Sequence, residues 1–127
     1  MIDHVSLGVA DLDRAARFYE TVLGAIGFAK LEVRPATIGF GKRYPEFWLN
    51  LRPAMAAVPA DTGIHVCLRA PTTAAVDDFH RAALAAGGSD DGAPGPRKHR
   101  TGRYYAAFVR DLDGNRVEAV TFLRASD

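Results

Sequence analysis

One cysteine, Cys67, stands alone in 127 residues, so no internal disulfide is available to the chain. No apolar run approaches the roughly 18 residues that a membrane-spanning helix needs, and no membrane partner is expected. An excess of charge is also missing. Sixteen basic against fifteen acidic residues leave a formal net charge of +1. That balance supplies no global field to draw in nucleic acid or an acidic membrane, so neither is expected as a partner. The start, Met1-Ile2-Asp3-His4, runs directly into a strand pattern without a basic segment or an apolar leader core. The expectation is a cytoplasmic protein.

What is present suits a soluble globular protein: 48% hydrophobic and 24% charged residues. The length allows one domain over residues 1–127. A chain of this size buries roughly two thirds of its unfolded surface, enough for a core without staples.

The sequence repeats itself. A shift of 61 residues lays His4-Val5-Ser6-Leu7 over His65-Val66-Cys67-Leu68, Phe18 over Phe79, Leu23 over Leu84, Ala25 over Ala86 and Gly27 over Gly88. Each half reads as a strand, an amphipathic helix and a glycine stop. Residues 1–55 and 62–127 are therefore two units, with Pro53–Thr62 between them. Alternation predicts strands over Ile2–Val9 and Ile64–Ala70. Asp11 is the expected first helix cap, and Leu12, Ala15, Ala16, Tyr19, Val22, Leu23 and Ile26 form its apolar stripe. In the second helix Thr72 or Thr73 caps, and Val76, Phe79, His80, Ala83 and Leu84 form the stripe. Further strands are expected at Ala29–Val33, Ala36–Phe40, Phe47–Leu51, Tyr104–Arg110 and Arg116–Phe122. The Asp-Gly turn at Asp111–Asn115 joins the last two.

One such unit leaves a face of its sheet uncovered. Two units pair their sheets into a cup with helices outside, an α+β fold of two β-α-β-β-β units with a mixed sheet. Strand parity then places His4 and Ser6 on the cup side of the first strand, and His65, Cys67 and Arg69 on that of its repeat. Glu118, between Val117 and Ala119, is a carboxylate in an apolar strand, which is costly unless it is exposed, paired or bound to a cation. Two repeat-related imidazoles and one carboxylate make a facial set that divalent Fe, Mn, Ni, Zn or Co accepts. The alternative is that these are satisfied polar residues on a cup that holds no metal. His80 reads as a packed or surface helix residue. Arg97-Lys98-His99-Arg100, after Gly92-Ala93-Pro94-Gly95-Pro96, reads as an exposed, mobile basic loop, with a flap for anionic substrates as the other reading.

The segments His4-Val5-Ser6-Leu7-Gly8-Val9, Asp11–Tyr19 and Asp111-Leu112-Asp113-Gly114-Asn115-Arg116-Val117-Glu118 resemble the glyoxalase / bleomycin-resistance / extradiol-dioxygenase (vicinal oxygen chelate) superfamily, over nearly the whole chain. The resemblance implies metal ligation by His4, His65 and Glu118, with Glu118 also the catalytic residue, and a homodimer in which one site sometimes draws on two chains. It implies no single reaction, because the superfamily hosts isomerases, dioxygenases, epimerases, thiol transferases and metal-free antibiotic binders. Glyoxalase I enzymes carry a further glutamate late in the first unit. Here the cup-side positions are Trp48, Asn50 and Arg52, which argues against that activity. Extradiol dioxygenases place a tyrosine where this chain has Phe108, which argues against catechol cleavage. The expectation is a metal-dependent enzyme for a small oxygen-rich or anionic molecule, bound by Trp48, Asn50, Arg69, Arg103 and Tyr105. The competing expectation is a metal-free small-molecule binder.

Overall fold

The computed structural model describes residues 1–100 and 102–124. Eight strands and two helices follow in the order β1 (Val5–Val9), α1 (Leu12–Gly24), β2 (Ala29–Val33), β3 (Thr37–Gly41), β4 (Phe47–Leu51), β5 (Val66–Arg69), α2 (Thr73–Ala85), β6 (Ser89–His99), β7 (Gly102–Arg110) and β8 (Arg116–Phe122). They form two four-stranded sheets with matching topology, β1-β4-β3-β2 and β5-β8-β7-β6. In each sheet the first strand runs parallel to the last, and the remaining pairs are antiparallel. The architecture is α+β, two paired β-α-β-β-β units with mixed sheets.

Local chemistry explains the helices. Asp11 caps α1 by accepting from the Arg14 backbone N–H, and Thr72 caps α2 by accepting from Ala75. Gly27 (φ +92°) and Gly87 (φ +97°) take the left-handed conformation after the two helices. These two glycines lie 60 residues apart, not 61, so the repeat slips by one position at the helix ends. The helices themselves keep the 61-residue register, yet one expectation is corrected: Leu84, placed in the apolar stripe opposite Leu23, is 42% exposed, whereas Leu23 is fully buried.

A second correction concerns residues 92–99. They are not a loop but part of β6, an eleven-residue strand paired with β7. Proline and glycine mislead here because β6 is an edge strand. An edge tolerates a missing N–H on its solvent side, and the register shifts between Asp90 and Gly95 absorb the irregular residues. Gly92 also answers a close approach, since a Cβ there would meet the Phe108 ring at 2.9 Å.

The units share one apolar core. Phe18, Tyr19, Val22 and Leu23 of α1 join Phe40, Phe47 and Leu49 of the first sheet and Val76, Phe79, Val109 and Val117 of the second unit. Burying each such side chain contributes about 1.5–3 kcal/mol. The Asp111–Asn115 turn plugs the second unit into the first. Tyr19 donates its hydroxyl to Asp111 Oδ2 at 2.6 Å, Asn115 Nδ2 donates to the Gly8 carbonyl at 3.0 Å, and the Ala10 N–H donates to Asp113 Oδ1 at 3.0 Å. The helices cover one face of each sheet and leave the other open.

Candidate functional site

On the first sheet, strand alternation sends Phe47 and Leu49 inward and leaves Trp48 and Asn50 on the open face with Ser6. Asn50 donates its amide to the Ser6 hydroxyl. The Trp48 indole lies across Gly39, where a Cβ would stand 3.0 Å from the six-membered ring. Arg34 rests its guanidinium 4.9 Å from the indole centroid and pairs with Glu32 at 2.6 Å. His4, Ser6, Arg34, Thr37, Trp48 and Asn50 border a cavity of about 460 Å³, with Pro45 and Asp3 at its edge.

On the second sheet the open face carries Cys67 and Arg69 from β5, Glu118 and Phe122 from β8, and Phe108 from β7, as the registers require. His65 immediately precedes β5. Its Nε2 lies 3.0 Å from Glu118 Oε1, and its ring meets Phe108 edge-on at 5.8 Å between centroids. Glu118 is only 6% exposed. A carboxylate that buried needs cationic or hydrogen-bonding neighbours, and His65 and the Cys67 thiol are such neighbours. Cys67 has an exposed surface, yet its thiol is pushed up to about 12, first by burial of the sulfur and then by the charge and hydrogen bond of Glu118. An elevated thiol is a poor nucleophile, because only the thiolate reacts. Alkylation of Cys67 by iodoacetamide at pH 8 is therefore expected to run at least about a hundredfold slower than that of an unperturbed thiol. Glu118→Gln should accelerate it. Equal rates for Cys67 and a model thiol would contradict this placement.

The structure brings together some of the residues singled out in the sequence and separates others. His65 and Glu118 are in direct contact. His4 stands on the other unit, hydrogen-bonded through Nδ1 to Asp3 at 2.7 Å. Both histidines border a cavity of about 310 Å³ at the seam between β1 and β5. Among the described residues, however, no three His, Cys, Asp or Glu side chains converge as a metal-holding group. Arg69 lies over Phe122, 4.4 Å from the ring centroid. Tyr105 turns to the helix side, where its hydroxyl donates to Asp77 of α2 at 2.7 Å. Arg103 shares the parity of Tyr105 and borders a separate cavity with Tyr104 and Phe122. His80 is buried and sits 2.8 Å from Asp90, whose carboxyl is held below its usual range mainly by that hydrogen bond.

Two features of the open face escape sequence reasoning. Arg34 reaches Trp48 from the β2–β3 connection, and nothing in the local pattern marks that approach. The second is a register equivalence. Ser6 pairs with Trp48 as Cys67 pairs with Glu118, and Ser6 and Cys67 are repeat partners. Trp48 therefore occupies in the first unit the place that Glu118 occupies in the second.

The family model described as Glyoxalase/Bleomycin resistance protein/Dioxygenase superfamily matches residues 1–119. The Virulence protein STM3117 of Salmonella typhimurium is 32% identical over 120 residues, spanning 92% of this chain and 81% of that protein. A glyoxalase/bleomycin resistance protein from Albidiferax ferrireducens superposes with a TM-score of 0.80 at 30% identity, over 93% of this chain and 96% of the other. A glyoxalase/bleomycin resistance protein/dioxygenase family enzyme from Burkholderia phytofirmans matches in fold, with a TM-score of 0.73 at 21% identity, over 96% of this chain and 98% of the other. No helix of the described residues is long and apolar enough to cross a membrane.

Proposed function

The chain belongs to the Glyoxalase/Bleomycin resistance protein/Dioxygenase superfamily, and on that premise we propose that it is a divalent-metal-dependent enzyme acting on a small oxygen-rich or anionic molecule. The observation that carries the reading is the His65–Glu118 pair, 3.0 Å apart on the open face of the second sheet. Two donors, each about 2.1 Å from one ion and at right angles, stand about 3.0 Å apart, so the pair suits two adjacent positions of a divalent shell. Among the described residues, one chain groups these two donors without a third. His4 is the proposed third, brought in by the partner subunit of a homodimer.

A metal bound there supplies Lewis acidity toward a carbonyl, enolate or paired oxygens. The rest of the chemistry falls to the chain itself. Glu118, buried to 6% exposure, is the group beside the reacting atoms that is able to accept a proton, and His65 positions it. Phe108 packs edge-on against the imidazole. Arg69 holds a cation over Phe122 on the same face, able to meet a substrate carboxylate or phosphate. Cys67, protonated at neutral pH, is not a nucleophile in this reading. Tyr105, engaged with Asp77, is left out of substrate binding.

Titration of the purified protein with Co²⁺, followed by its visible absorption, tests the pair. His65→Ala is expected to weaken binding by at least about a hundredfold, the cost of losing an imidazole ligand. Unchanged affinity in that variant would remove His65 from the proposal. The second reading is a metal-free binder of small aromatic molecules. It is favoured by Trp48 standing where a second carboxylate would mirror Glu118.

A further inference from the structure

The first sheet's cavity is built from different chemistry than the His65–Glu118 face, although the two units share one topology. Its wall is the Trp48 indole, held flat because the neighbouring β3 position is Gly39. Any side chain at that position would meet the indole at 3.0 Å and the Pro45 ring at 2.7 Å. Over the indole lies the Arg34 guanidinium, 4.9 Å from its centroid. A guanidinium over an aromatic ring can still give its N–H groups to acceptors, and a carboxylate matches its fork with two oxygens. Here one edge nitrogen, Nη2, is given to Glu32 at 2.6 Å. That pair is exposed on both sides, 59% and 44%, so it is screened by solvent and readily exchanged for another carboxylate. Neutral polar groups and one carboxylate, Asp3, complete the cavity. Asn50 and Ser6 are bonded to each other, Thr37 lies beside them, and the Asp3 carboxylate is engaged by His4.

We propose that this cavity binds a planar aromatic or conjugated carboxylate, its ring against the part of the Trp48 indole that Arg34 does not cover and its carboxylate on the Arg34 guanidinium in place of Glu32. The volume of about 460 Å³ accommodates a one- or two-ring acid with room to spare. A saturated acid of the same size loses the flat contact with the indole. An uncharged aromatic loses the guanidinium. The inference does not rest on the metal, because neither His65 nor Glu118 enters it, and His4, the proposed third ligand, borders the cavity without a role in holding the acid.

Trp48 is the chain's single tryptophan, so its emission reports this cavity and no other. Benzoate, titrated into the full-length protein in the presence of EDTA, is expected to change that emission saturably. Benzyl alcohol and cyclohexanecarboxylate are expected to bind at least about tenfold more weakly, and Arg34→Gln to weaken benzoate by about tenfold or more, the loss of a charge-assisted pair. Glu32→Gln, which frees the guanidinium without touching the core, should tighten benzoate. Arg34 and Glu32 are both exposed, so neither variant threatens folding, and far-ultraviolet circular dichroism checks that. No saturable change with benzoate, equal binding of benzyl alcohol, or unchanged affinity in Arg34→Gln each overturns the proposal. Because EDTA is present throughout, failure of the metal reading leaves this result untouched, and failure here leaves the metal reading untouched.

Discussion

Asp111→Ala is expected to lower the unfolding free energy by about 3–5 kcal/mol, because several buried donors lose their acceptor at once. The Asp111 carboxylate accepts from the Tyr19 hydroxyl at 2.6 Å, from the backbone N–H groups of Asp113 and Asn115 at 2.9 and 2.8 Å, and from Asn115 Nδ2 at 2.9 Å. Tyr19 is 1% exposed and Asp111 6%, so water does not easily replace the missing oxygens. A single domain holds only about 5–15 kcal/mol in reserve, which makes this loss large. Tyr19→Phe removes one of the four bonds and is expected to cost about 1–2 kcal/mol. Equilibrium urea unfolding measures both. A loss below about 1 kcal/mol for Asp111→Ala would mean that the turn does not fasten the second unit to the first.

The pH dependence of this group has a definite sign. Burial raises the Asp111 carboxyl above its ordinary value, although its hydrogen bonds pull the other way. A carboxyl raised in the folded state contributes stability that is complete below its unfolded pKa. That contribution is lost as pH rises through the folded value. The burial of Asp111 therefore weakens the fold toward neutral pH, and the four hydrogen bonds offset only part of that cost.

The second large effect concerns how the site is completed. His4→Ala and Glu118→Ala, each purified alone, are both expected to lose metal binding. Mixed, unfolded together and refolded, they are expected to regain about a quarter of the wild-type capacity, as random pairing of two chains into a twofold dimer dictates. In a mixed dimer one site combines His65 and Glu118 of the His4→Ala chain with His4 of the other, and the second site is doubly defective. A site formed within one chain predicts no recovery at all. The motivation is geometric: His65 and Glu118 lie together, while His4 of the same chain is turned to Asp3.

Much of this was legible in the sequence because it lay in periodicity. The strand-helix-glycine repeat, the Asp11 cap and the apolar stripe of α1 follow from residue type at fixed spacing, and the structure has them. The face of each strand also followed from alternation, which put Trp48, Asn50, Cys67 and Glu118 on the open side. What failed depended on neighbours distant in sequence. Leu84 carries the right residue type at the expected shift, but it lies at the margin of the stripe that Val76, Phe79, His80 and Ala83 bury, and stays 42% exposed. Gly92, Pro94, Gly95 and Pro96 look like a loop until β7 pairs with them and the Phe108 ring claims the space over Gly92. The hydrogen bond of the Tyr105 hydroxyl to Asp77 of α2 is likewise a contact between residues distant in sequence, which local pattern does not reveal. The equivalence of Trp48 and Glu118 was hidden for a related reason. The segments between the helix and the last strand differ in length in the two units, so a single shift does not align them.

The most direct test is the metal content of the untagged wild-type protein, measured by elemental analysis beside Glu118→Ala after exposure to Fe, Mn, Ni, Zn and Co ions. Near-stoichiometric retention of one of these in the wild type, lost in the variant, is the predicted result. No retained metal in either protein, or equal retention in both, would contradict a metal centre at Glu118 and leave the open faces as a binding surface for small molecules.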